Sequence, residues 1–178
     1  MKTALFACFA LVLAGCSSGP SAGEFTPVEA IAFRSNVGPD VLNVAVTTLP
    51  GSCALVQSGS TQHAHDYDTI TFHFGSTEGA LQPGVYPVVD TNDVFPGTSA
   101  TVFYIGQRDT AGRCQTRYGA PATGTVTIAT MDAAHVTGTY DIHFDHGWPY
   151  GNDFTGHVTG TFDAPLCEGM GVQNVICE

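Results

Sequence analysis

A heptapeptide occurs twice near the end of this chain, as His135-Val-Thr-Gly-Thr-Tyr-Asp141 and His157-Val-Thr-Gly-Thr-Phe-Asp163. Strand side chains alternate between the two faces of a sheet, so Val136, Gly138, Tyr140 and Ile142 share one face and Thr137, Thr139, Asp141 and His143 the other. An antiparallel pairing in which partner numbers sum to 300 sets Tyr140 opposite Gly160, Phe162 opposite Gly138, Phe144 opposite Gly156 and Ile142 opposite Val158. Each ring then covers the gap left by a glycine, a pairing that stabilises sheets. Sums of 298 or 302 lose this match. On the other face the same register joins Thr139 to Thr161, Asp141 to Thr159 and His143 to His157. A weaker third copy, Thr123-Gly-Thr-Val-Thr127, precedes the two. Offsets of 22 and 14 residues are too irregular for a solenoid but fit successive strands of a meander.

Period-two patterning recurs elsewhere. Leu42, Val44 and Val46 alternate with polar or small residues, as do Ile70, Phe72 and Phe74, and then Val126 and Ile128. Pro50-Gly51, Pro83-Gly84, Pro96-Gly97 and Gly119-Ala120-Pro121 punctuate the runs. Residues 28–33 read as a further short strand, and no segment carries a convincing helical periodicity. The expected fold is all-β, an antiparallel β-sandwich or flattened barrel of roughly eight to ten strands with two disulfides.

The amino terminus gives an address. Lys2 precedes an apolar run over residues 4–13, and Leu13-Ala14-Gly15-Cys16 closes it. The run is too short to span a bilayer and has the form of an export signal. Its ending resembles the lipobox of bacterial lipoproteins, which implies diacylation of the Cys16 thiol, cleavage before Cys16 and acylation of the new amino terminus. Several acyl chains make a stable membrane anchor where one is marginal. Ser17 after Cys16, rather than Asp, resembles the outer-membrane sorting pattern of Gram-negative lipoproteins. The expected organisation is a signal peptide over 1–15, a Ser/Gly/Pro-rich flexible tether over 16–26 and a single β domain over 27–178.

Without the signal, four arginines face sixteen acids, a formal charge of 4 − 16 = −12. Such a surface repels nucleic acid and excludes it as a partner. The membrane, reached through the lipid, and an envelope protein or glycan are the partners the address implies. Cys53, Cys114, Cys167 and Cys177 remain for disulfides, which persist in exported proteins. Cys53–Cys114 with Cys167–Cys177 is the favoured pairing, the second closing a short loop; Cys53–Cys167 competes with it.

The strings Pro83-Gly-Val-Tyr86, Thr123-Gly-Thr-Val-Thr-Ile128, Val136-Thr-Gly-Thr-Tyr-Asp-Ile-His-Phe144 and Gly160-Thr-Phe-Asp-Ala-Pro-Leu-Cys167 resemble those of small lipoproteins typical of myxobacteria. The resemblance runs from about Cys53 to Cys167. It implies a fold and carries over no catalytic residue.

Little chemistry is legible. There is no Gly-x-Ser-x-Gly elbow, and the cysteines are committed to disulfides, so no catalytic constellation or cofactor is expected. Histidine is the one lead towards a divalent metal. His63 and His65 share a face of an extended segment, a spacing suited to Zn²⁺ or Cu²⁺, although the polar stretch 58–68 also reads as a solvated loop. The expected His143/His157 pair, flanked by Asp141 and Asp145, is a second metal or pH-sensing candidate. Asp90-Thr-Asn-Asp93 offers too few oxygens for calcium. Trp148 and Tyr150 sit in a Gly/Pro loop over 146–153, where amphipathic rings suit contact with a protein or sugar partner.

Overall fold

A hairpin with the expected register forms the end of the second of two sheets. The computed structural model describes residues 24–34, 41–58, 62–63, 66–77, 79–89, 97–110, 113–119, 122–145, 154–168 and 175–176. The strands are β1 (Glu29–Arg34), β2 (Leu42–Thr47), β3 (Gln62–His63), β4 (Tyr67–Ser76), β5 (Gly84–Pro87) and β6 (Thr98–Thr110). They continue as β7 (Arg113–Gly119), β8 (Ala122–Met131), β9 (His135–Phe144), β10 (Gly156–Pro165) and β11 (Val175–Ile176). One antiparallel sheet has the order β1-β2-β4-β6-β7 and the other β10-β9-β8-β5, while β11 and β3 form a separate parallel pair. The chain is thus mostly β, in two layers rather than a closed barrel.

The three threonine-glycine strings lie on β8, β9 and β10, consecutive strands of a meander. From Gly156↔Phe144 to Pro165↔His135, every β9–β10 pair sums to 300. A Cβ on Gly138 would run into the Phe162 ring and the Thr127 carbonyl, and one on Gly160 into the Tyr140 ring. The rings therefore lie on bare backbone. The third copy departs from this scheme: Gly124 faces Ile142, has φ +124°, and is followed by a register shift between Ile128 and Thr130. Between β8 and β9 the chain turns at Asp132, whose Oδ1 accepts from the Ala134 and His135 amides at 2.7 and 2.8 Å. Those two bonds hold its carboxyl below the usual carboxylate range.

Alternation sends Val44, Ile70, Phe72, Phe74, Val102 and Tyr104 of the first sheet inward, against Val126, Tyr140, Ile142, Phe144 and Phe162 of the second, all buried. Rings meet across the layers, Phe72 with Tyr140 at 5.2 Å and with Phe162 at 6.1 Å, and Phe74 with Tyr86 at 5.0 Å. Each such ring contributes about 1.5–3 kcal/mol by leaving water. Phe154, just before β10, packs on Tyr104 and Phe144, and Phe25 caps it edge-on at 6.4 Å.

The layers are joined along one side. The Cys167 amide donates to the Ala32 carbonyl at 2.7 Å, beside a parallel bridge between Ala32 and Leu166. There Cys53 is bonded to Cys167, 114 positions further along the sequence. This corrects the favoured pairing: Cys53–Cys114 and Cys167–Cys177 cannot form, and the competing Cys53–Cys167 does. The reason is positional. Cys53 lies on α1 (Ser52–Ser58), a one-to-two-turn helix not expected from the sequence, which packs beside β1 and carries the thiol to the seam. Gly51 at φ +76° turns the chain into it, the Ser52 hydroxyl donates to the Leu49 carbonyl, and the Ser52 amide donates to the Glu29 carboxylate at 3.0 Å. Cys114 lies on β7 opposite Asp109, its side chain outside the described residues, as is Cys177.

Candidate functional site

Burying Val136, Tyr140, Ile142 and Phe162 obliges their sequence neighbours to face water. The outer face of the four-stranded sheet is therefore built from threonine, histidine and aspartate. One row runs Thr123–His143–His157, the next Thr125–Asp141–Thr159, and the next Thr127–Thr139–Thr161. No Phe, Tyr or Trp ring stands on this face among the described residues of β8, β9 and β10.

His143 and His157 are direct cross-strand partners, as expected, with ring centroids 6.5 Å apart. Each imidazole meets a carboxylate of its own. His157 Nε2 lies 2.6 Å from Asp141 Oδ1, and His143 Nε2 lies 3.2 Å from Asp145 Oδ1. All four side chains are roughly half exposed or more, so these contacts contribute little to stability. The arrangement presents imidazole nitrogens and carboxylate oxygens that can hold a cation.

Of the other histidine candidates, the structure describes only the backbone of His63. His63 lies on β3, paired with Ile176 of β11, outside both main sheets. Its side chain and the whole of His65 fall outside the described residues, as do Cys16, Trp148 and Tyr150. Among the described residues no group of three or more His, Cys, Asp or Glu side chains gathers to hold a metal.

Sequence reasoning missed a second polar patch, on the outer face of the five-stranded sheet. Asn43, His73 and Thr101 are register partners across β2, β4 and β6, and Ser99 lies one row away. Alternation marks all four as facing away from the core, which ordinarily means towards water. Asn43, Ser99 and Thr101 are instead buried. Asn43 Oδ1, Ser99 Oγ and His73 Nε2 are buried with no hydrogen-bond partner in the protein. His73 stacks on Phe103 at 4.6 Å, and burial lowers its pKa from 6.5 to about 4, so the ring is neutral at pH 7. The signal available in the sequence was a histidine in an aromatic strand, Phe72-His73-Phe74, too common a pattern to single out.

A cleft of about 220 Å³ opens beside Leu81, Gln82 and Tyr86, with Ser76 and Thr98 opposite. The Tyr86 hydroxyl donates to the Gln82 carbonyl, and burial raises the pKa of that phenol. Its lining is uncharged.

No family model matches the chain, and no curated protein or solved structure shows a significant match to it.

Proposed function

We propose that this chain is an exported lipoprotein whose β domain serves as a non-catalytic binding or structural module at the cell envelope. The observation that carries the reading is the apolar run over 4–13 ending in Leu13-Ala14-Gly15-Cys16; on this reading residues 1–15 are removed and Cys16 is acylated. The reading is supported by a disulfide at Cys53–Cys167, a bond suited to an oxidising compartment. With those two cysteines taken, Cys114 and Cys177 are the remaining pair, and we assign them the second disulfide of the sandwich. Trp148 and Tyr150 are the proposed contacts for an envelope protein or glycan, and the outer membrane the proposed location.

The test is Cys16→Ser, expressed in a Gram-negative host. The wild-type chain is expected in the detergent-soluble membrane fraction, with mass spectrometry showing an acylated Cys16 as first residue. The variant is expected as unprocessed precursor or soluble protein with an unchanged circular dichroism spectrum. An unmodified Cys16 in membrane-associated wild-type protein refutes the anchor.

A further inference from the structure

We propose that His143 and His157 form a surface site for a divalent first-row transition metal ion, with Nδ1 of each ring as the ligand and Asp141 and Asp145 as the carboxylates that orient them. The site goes beyond the envelope reading and does not depend on the lipid anchor.

Three observations support it. The two histidines occupy one register position on neighbouring antiparallel strands, so both rings project from the same side of a rigid hairpin. A bound metal with two Zn–N bonds of ~2.0–2.1 Å and a tetrahedral angle places ring centroids about 5 Å apart. The observed centroid separation is 6.5 Å, with the rings tilted 48° to each other, so the metal would draw them together by roughly 1.5 Å. The carboxylates supply the third observation. Histidines that ligate metals usually give their other ring N–H to a carboxylate or carbonyl, which fixes tautomer and orientation and raises ligand basicity. Here Nε2 of His157 meets Asp141 and Nε2 of His143 meets Asp145. Holding the proton on Nε2 leaves the Nδ1 lone pair for a metal.

The donor set selects the ion. Imidazole nitrogen suits Zn²⁺, Ni²⁺ and Cu²⁺, while Mg²⁺ and Ca²⁺ require oxygen ligands in number. Two protein ligands leave the remaining positions to water or to a donor group from another molecule, so the site is open. The domain's charge of 4 − 16 = −12 favours approach of a cation.

Calorimetric titration of the intact, detergent-solubilised protein with Zn²⁺ and with Ni²⁺ at pH 7.5 tests the site. Saturable binding of one ion is expected. His143→Ala and His157→Ala are each expected to weaken it at least tenfold, and Asp141→Asn by 10–100-fold. Thr161→Ala on the same face and His63→Ala should leave it unchanged. Nitrogen-15 NMR should show the Nε2–H tautomer of His157 without metal and perturbation of the Nδ1 resonances by Zn²⁺. Binding that survives the double His143→Ala/His157→Ala variant, absence of saturable binding, or perturbation at Nε2 instead overturns the proposal. The Cys16→Ser variant should titrate like the wild type, so failure of the anchor and failure of this site are separable.

Discussion

Acid should weaken this fold through one side chain, His73. Its ring stacks on Phe103 with Nε2 shielded from water, and this burial lowers its pKa from 6.5 to about 4. In the unfolded chain the ring regains the ordinary value, so between these limits the unfolded state binds the extra proton. Stability from this group is complete above about pH 6.5 and is lost as pH falls through 6.5 towards 4. Proton linkage over that gap gives a loss of about 2 kcal/mol at pH 5 and about 3 kcal/mol at pH 4. That is a large part of the 5–15 kcal/mol by which domains of this kind are stable. The assay compares wild type with His73→Gln, which cannot titrate, by urea unfolding at pH 7.5, 6, 5 and 4. Other groups common to both proteins cancel in the difference. The stability of wild type minus variant should fall by about 3 kcal/mol between pH 7.5 and 4. Parallel curves refute the reasoning and place His73 in contact with water.

The two faces of the terminal hairpin should respond differently to truncation. Phe162→Ala removes a ring that is 4 % exposed and should cost about 3–5 kcal/mol, while His143→Ala on the outer face should stay within about 0.5 kcal/mol in the same denaturant titration. Peptide mapping without reduction should recover Cys53 linked to Cys167; Cys53→Ser should cost about 4–5 kcal/mol, the value for closing a loop of roughly a hundred residues. A peptide joining Cys53 to Cys114 would contradict the seam.

The hairpin was legible because its information is local. Two glycines and two rings at matched spacing admit one register, and Phe162 over Gly138 with Tyr140 over Gly160 is the pairing that forms. The His143/His157 pair followed from the same register. The Cys53–Cys167 bond was not legible because it depends on α1 setting Cys53 beside β1, where Cys167, 114 positions further along the chain, also lies. A helix as short as α1 carries too few turns for a periodic signal. His73 and Asn43 failed for another reason. Alternation tells which way a side chain faces, and it is silent on whether further chain lies over that face.

Under the proposed lipid anchor at Cys16, the edge-on contact of Phe25 with Phe154 would orient the molecule relative to a bilayer. Phe154 lies two residues before Gly156, the start of β10, so Phe25 reaches the end of the sandwich where Phe144 and Gly156 are paired, one residue beyond His143 and His157. With Cys16 acylated, only residues 17–23 separate lipid from Glu24, the first described residue. Seven such residues span about 15 Å as a flexible coil and about 25 Å when fully stretched. The histidine row would then stand close above the headgroups, within reach of ions and molecules at the membrane surface. The Asp132 turn, at the far end of β8 and β9, would point away from the lipid and be the first part met by anything approaching from the aqueous side.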